Sequence, residues 1–302
     1  MEQMTLAETI KEITRDHLVN HNGLLFGQCV TAVGWVNGSV PDCKNIVELP
    51  MTDVAGAGFA VGAAIAGNRP IFVLRFQDFF TLNCNQIVHY AALSKELHHQ
   101  GIPVFVRCIG TDGAGPVHSI MLHNIPMYFP GIKVYAPMTP GEYRETWKDF
   151  MDDDVPMFVS EHRSSYQYTD EMPDDIVENP DVVLFGISDA RREIVLAAQQ
   201  LKAIGINASV VHIMKLKPLD RSSLIQKMGD CKYGLVVDNG FPICGAARDI
   251  AYEIMENTDK KVLALSCEDK TKCFNPAQQN RTPSAQKIVD TVLELRRNIN
   301  DR

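Results

Sequence analysis

The sequence has eight cysteines but no CxxC pair among them. The closest two, Cys267 and Cys273, lack the accompanying histidine spacing of a zinc site. Neither a disulfide framework nor a cysteine-based metal centre is therefore expected, and reduced thiols suit a cytoplasmic protein. There is no G-x-S-x-G, no P-loop and no H-E-x-x-H, so the commonest hydrolase and phosphotransferase signatures are missing. No apolar run approaches the roughly 20 residues of a membrane helix. The start, MEQMTLAETIKEITRDHL, reads as a mixed-charge amphipathic helix rather than a signal peptide. Basic charge is also short: the net charge of −8 argues against nucleic acid or an anionic membrane as the main partner.

What is present is a chain of 302 residues, enough for two domains. Short apolar runs alternate with helical patterns: Leu24 to Phe26, Ile46 to Leu49, Arg69 to Phe76, Ile102 to Ile109, Ile132 to Tyr135 and Met157 to Ser160 read as strands. Such alternation predicts an α/β fold with a parallel or mixed sheet covered on both faces. The acidic, proline-punctuated stretch from Glu161 to Pro180 breaks the pattern, and alternation resumes at Val182. The expectation is a first domain over 1–162, a linker over 163–180 and a smaller α/β domain over 181–302.

The stretch Ile46 to Gly67, IVELPMTDVAGAGFAVGAAIAG, organises the first half. It reads as a buried strand, a proline stop, a lone carboxylate at Asp53 and a helix of small residues. Each interior glycine costs about 0.5–1 kcal/mol relative to alanine, so such a helix suits a place where something approaches its backbone closely. Asp53 sits where the helix dipole favours negative charge. It is either an N-cap on a packed core helix or a carboxylate presented to a ligand.

Three other features invite a chemical reading. GAGFAVG followed by Asp78 imitates a dinucleotide fingerprint with its ribose acid, yet Pro50 to Val54 separate the strand from the glycines, which a fingerprint does not allow. His118 follows the glycine-rich loop GTDGAGPVHS at a strand end, where open α/β sheets bind ligands, and it fits either an acid–base role or a structural one. Phe79 and Phe80 open a helix and taken alone read as core.

Taken in order, LPMTD, the small-residue helix, GNRPIFVLRFQDFF, CNQIVHYAA, the loop ending in HS, and FPGIKVYAPMTPGEYRE resemble the beta subunit of the two-chain thiamine-diphosphate-dependent 2-oxo acid dehydrogenases. KPLD and VVDNGFPICG extend the resemblance through the second half. It implies a thiamine-diphosphate-binding fold followed by a smaller transketolase C-terminal-like domain. It also implies thiamine diphosphate as cofactor and chemistry through a cofactor-bound carbanion–enamine. Asp53 matches the acid on the pyrimidine ring nitrogen, where the family has Glu. Phe79 matches the aromatic that stacks on the pyrimidine, with Phe80 as neighbouring candidate, and His118 matches the active-site histidine. Gln28 stands where the family often has an acid, and the segment around Asp153 resembles a monovalent-cation loop.

The family holds Mg²⁺ and diphosphate through a GDG motif, and this chain has none; MGDCKY at Met228 is not one. The resemblance therefore implies a separate alpha-type subunit that carries the Mg²⁺ and diphosphate, an α2β2 assembly, and a lipoyl acyltransferase as a further partner. The chain itself then supplies no metal ligand. Three alternatives stay open: a split transketolase or carboligase moving a two-carbon unit, a non-catalytic assembly paralogue, and an NAD(P)-binding oxidoreductase.

Overall fold

A computed structural model describes residues 3–32, 34, 36–275 and 279–300. The chain divides into two compact units, one reaching to Glu171 and taking in Lys215–Pro218, the other made of Met172–Met214 and the chain from Leu219 onward. In the first unit, helix α1 (Leu6–Asn20) opens with a capping box in which Thr5 and Glu8 satisfy each other's backbone amides. Six strands follow: β1 (Leu25–Gly27), β2 (Ile46–Glu48), β3 (Ile71–Leu74), β4 (Phe105–Gly110), β5 (Lys133–Tyr135) and β6 (Met157–His162). They form one sheet in the order β2-β1-β3-β4-β6-β5, with every neighbouring pair parallel. β3, β4 and β6 are buried along their whole length, as strands covered on both faces must be. The short strand Lys215–Lys217 closes the β5 edge in antiparallel sense.

Two findings depart from the sequence expectation. The stretch 163–180 is not one linker, because residues up to Glu171 belong to the first unit. Tyr166 is buried, its hydroxyl bonds to Glu161, and the carbonyls of Tyr166 and Tyr168 accept the amides of Ala7 and Leu6. The edge strand Lys215–Lys217, which runs into the KPLD segment, has no counterpart among the strands read from the sequence.

The strand order places a topological switch at β1. The next strand, β2, lies on one side of β1, and β3 lies on the other. Loops leaving β1 and β3 at their carboxyl ends diverge there and open a crevice, the usual ligand position of an open α/β sheet. Helix α2 (Asp53–Ile65) follows β2, and helix α3 (Phe80–Asn85) follows β3. After α3 the chain passes through a π-helical segment, Gln86–Ala91, into α4 (Ala92–His98). The floor of the unit holds a fully buried ion pair, Arg107 to Glu161 at 2.7 Å. Tyr143 donates to the same carboxylate, and Ser39 accepts from Arg107, which fastens the long β1–β2 loop to the sheet.

The second unit has a parallel four-stranded sheet made of β7 (Val182–Ile187), β8 (Ala208–Ile213) and the strands Tyr233–Val237 and Lys261–Leu265, with β7 in an inner position. Its core packs Leu184 and Leu235 against Ile194 and Leu201 of one helix and Ile288 and Val292 of another. Among the described residues no helix is long and apolar enough to cross a membrane.

Candidate functional site

The crevice at the switch point is lined by Gln28, Asp53, Phe72, Val73, Leu74, Arg75, Phe79 and Asn83. Gln28 follows directly on β1, Asp53 begins α2, and Phe79 ends the 3₁₀ turn Gln77–Phe79 after β3. Three of the candidate residues therefore meet at one place although 51 residues separate the first from the last.

Asp53 is not the cap of its helix. The N-cap is Thr52, and its hydroxyl donates to the Pro50 carbonyl at 3.0 Å instead of capping. The Asp53 carboxylate makes no hydrogen bond or ion pair among the described residues, although it is half-buried and lies at the positive end of a helix. A carboxylate so placed and left unpaired is available to a donor that comes from outside the chain. The Gln28 amide is likewise half-buried and has no partner among the described residues.

One glycine of α2, Gly56, has a packing reason. A Cβ on Gly56 would lie 3.1 Å from Asn83 Oδ1 and 3.4 Å from the Phe72 ring. The dinucleotide reading is thereby overturned: Gly56, Gly58 and Gly62 are inside the helix, and none forms a turn directly after a strand.

Phe79 and Phe80 part company. Phe79 faces the crevice, while Phe80 is fully buried and packs edge-on against Phe158 at 4.9 Å. Consecutive helical positions point about 100° apart, so only one of the pair reaches a given face. The expectation for Phe80 is corrected accordingly: it is a core residue.

His118 ends a four-residue helix, Gly115–His118, that follows β4. Its ring stacks on Phe76 with centroids 4.2 Å apart and meets Phe79 edge-on at 5.4 Å. Through Phe79 it borders the crevice. Nδ1 lies 3.2 Å from both carboxylate oxygens of Asp78. The sequence offers Asp78 only as a ribose acid, a role without its fingerprint here. On the other side of this group the Arg163 guanidinium lies 4.5 Å from the Phe76 centroid and donates to the Arg75 carbonyl. Burial, with Arg75 adding to it, holds the Arg163 pKa below its ordinary value. Phe76, Asp78 as the partner of His118, Asn83 and Arg163 are not foreseen from the sequence. The signal for the first three was that they share the segment after β3, whose neighbours in the sheet, β1 and β4, lead to Gln28 and His118.

The loop around Asp153 does not fit a bound cation. Its carboxylate receives Lys95 at 2.8 Å, Lys133 at 2.9 Å and the Asp154 amide. Arg69 donates to the carbonyls of Phe150 and Asp153 and to the Asp154 carboxylate. Protein cations take up the oxygens that a metal ion would need.

Known protein families match both halves of the chain. The transketolase pyrimidine-binding domain matches residues 31–169, and the transketolase C-terminal domain matches residues 174–288. Among curated proteins, the acetoin:2,6-dichlorophenolindophenol oxidoreductase subunit beta of Bacillus subtilis is 27% identical over 83% of this chain and 79% of its own. The mitochondrial pyruvate dehydrogenase E1 component subunit beta of Caenorhabditis elegans is 29% identical over 71% of this chain and 66% of its own. The corresponding subunit of Gracilaria tenuistipitata is 26% identical over 98% of this chain and its full length. A split-gene transketolase, described as an inactive beta4 tetramer, shares the fold with a TM-score of 0.77 at 16% identity, over 96% of this chain and 97% of that one. The Campylobacter jejuni transketolase superposes with a TM-score of 0.76 at 14% identity, and this chain spans 47% of its length. With these two domains in this order and beta-subunit relatives along its length, the chain is a beta-type subunit built of the transketolase-family pyrimidine-binding and C-terminal domains.

Proposed function

We propose that this chain supplies the pyrimidine-binding half of a two-chain thiamine-diphosphate enzyme that decarboxylates a 2-oxo acid. The observation that carries the reading is the unpaired Asp53 carboxylate, set in a crevice with Phe79 and Gln28. These residues fit an aminopyrimidine: Phe79 offers an aromatic face, Asp53 an acceptor for a ring N–H, and Gln28 both a donor and an acceptor. When bound, thiamine diphosphate supplies the electron sink for cleavage of the bond beside a carbonyl. Asp53 takes or shares the proton of the ring nitrogen. His118, with Nε2 unengaged among the described residues, moves a proton to or from the substrate at the edge of the same crevice.

The chain needs an alpha-type partner that brings the Mg²⁺ and the diphosphate site, in an α2β2 assembly. Exposed apolar residues support this. Val54, Phe59 and Ile65 on α2, with Leu82 and Tyr90 on the following helical run, stand 45–65% open to solvent. Apolar side chains exposed on neighbouring helices in this number point to an interaction face. A lipoyl acyltransferase is a further partner of this reading, and the cytoplasm its compartment.

Transfer of a two-carbon unit between carbonyl compounds is the second reading. It is favoured by the short loop between β4 and His118, in which only Thr111 to Ala114 separate the strand from the helix. Calorimetry and turnover separate the cases. The chain alone is expected to bind thiamine diphosphate and Mg²⁺ weakly, and to bind them tightly with its alpha-type partner. The assembled pair is expected to reduce dichlorophenolindophenol with a 2-oxo acid. Sub-micromolar binding by the chain alone would sink the two-chain reading, and ketose-dependent transfer without 2-oxo acid turnover would favour the second.

A further inference from the structure

We propose that Asp78 is a positioning residue for His118, holding its neutral ring as the Nδ1–H tautomer so that Nε2 is the nitrogen offered to substrate. The functional part of this inference rests on the acid–base role given to His118 above; the hydrogen-bonding part stands on the geometry alone.

Three observations carry it. First, both Asp78 oxygens lie 3.2 Å from Nδ1, while Nε2 has no hydrogen-bond partner among the described residues. A carboxylate accepts and does not donate, so the nitrogen facing it carries the hydrogen. Free imidazole side chains favour the opposite tautomer, so the carboxylate reverses the default, and the bond at one ring nitrogen fixes the state of the other. Second, the ring is held in plane and in place. Phe76 covers one face and Phe79 meets it edge-on, while Arg163 backs Phe76 from beyond. Rotation of the ring to present Nε2 to Asp78 would forfeit both contacts. Third, the two partners are fixed to one anchor. Gln77, next to Asp78 and fully buried, donates to the Cys108 carbonyl and to Ser160, and its oxygen accepts the Leu122 amide at 2.7 Å. Leu122 lies four residues after His118. The Ala114 amide donates to Ser119, which pins the other side of the histidine. One saturated amide thus locks the turn that carries Asp78 to the loop that carries His118. Among the described residues the Asp78 carboxylate has no other partner. Its one assignment is the histidine.

Long-range ¹H–¹⁵N correlation spectra of the full chain, recorded where imidazole is neutral, read the tautomer directly, and His118→Gln assigns the signal. The wild type is expected to show a protonated Nδ1 and a bare Nε2, and Asp78→Ala to move His118 toward the Nε2–H form. Asp78→Asn, which keeps an acceptor oxygen, is expected to retain part of the Nδ1–H state. In the complex with the alpha-type chain, Asp78→Ala should lower kcat by about 10-fold or more, within the scale of acid–base catalysis, with KM little changed. Added to His118→Ala it should cost nothing further, because two residues acting as one unit are not additive. An unchanged His118 pattern in Asp78→Ala overturns the proposal. A shifted tautomer beside full activity in His118→Ala removes the catalytic role of His118, and the positioning role with it, while the hydrogen bond stands.

Discussion

Asn83 Oδ1 accepts the backbone amide of Ala57 at 3.1 Å, and this bond joins the helix that begins at Asp53 to the helix that follows Phe79. The same side chain donates to the Phe79 carbonyl at 3.0 Å. A single buried amide therefore sets the relative position of the acid and the aromatic ring that flank the crevice.

Asn83→Ala should destabilise the chain by about 1–3 kcal/mol, the cost of leaving a buried backbone donor without its partner. Asn83→Asp keeps the acceptor but turns a second oxygen toward the Phe79 carbonyl in a buried place, so it should cost at least as much. Gly56→Val should act in the same direction, since a Cβ there already crowds Asn83 and Phe72. Thermal melts of the three variants test this, and a neutral Asn83→Ala would show that the two helices are held by other contacts.

The small-residue helix makes a second expectation with an unusual sign. Gly62 is exposed in the interior of α2, and no atom lies within 4 Å of where its Cβ would be. In the isolated chain Gly62→Leu should raise stability by about 0.5–1 kcal/mol through helix propensity. If a partner chain packs on this face, the same change should block assembly. Sedimentation with the alpha-type chain reads the second effect, and assembly at wild-type affinity would mean that the partner sits elsewhere.

Much of this arrangement is legible in the sequence, and the failures share a cause. β3 and β4 are continuous apolar runs, and Pro50 before Asp53 marks the end of β2 and its exit loop. Periodicity cannot tell Phe79 from Phe80, because both begin the helix and the fold decides which one turns inward. The stretch 163–171 reads as linker because it is polar. Its place in the first unit comes from backbone pairing with Leu6 and Ala7, some 160 residues away. Asp78 and His118 are 40 residues apart, and only the adjacency of β3 and β4 brings them together.

The Asp153 cluster gives a pH-dependent expectation. Burial alone would raise the pKa of Asp153, but the bonds from Lys95, Lys133 and the Asp154 amide outweigh it and hold the group well below its ordinary 3.8. A depressed folded pKa means stabilisation that is complete above the unfolded value and is lost as pH falls toward the folded one. Asp153→Asn should therefore lower the melting temperature at pH 7 by about 2–4 °C, on the basis of roughly 1 kcal/mol for partly exposed pairs. The gap should close below about pH 4. Replacing sodium by potassium at constant ionic strength should leave the melt unchanged, and a potassium-specific rise would show that an ion does enter this loop.

The last expectation concerns the reach of Asp53. Aspartate is one methylene shorter than the glutamate that the family resemblance places here, a difference of about 1.5 Å. A working hydrogen bond tolerates only about 2.6–3.2 Å between heavy atoms. Either the start of α2 lies closer to the ligand or a water fills the gap. Ala55, Gly56 and Ala57 put little side chain in the way, so a direct contact is the arrangement expected. Because Asp53 bonds to nothing else among the described residues, Asp53→Asn should shift stability by less than about 0.5 kcal/mol and leave assembly intact. Hydrogen–deuterium exchange at the thiazolium carbon of cofactor bound to the assembled pair should fall to background in this variant. Asp53→Glu should impair exchange if the contact is direct, because the longer side chain overshoots, and should preserve it if the longer reach replaces a bridging water. Exchange as fast as the wild type in Asp53→Asn would leave the carboxylate without a catalytic role and move the search for the activating acid to the partner chain.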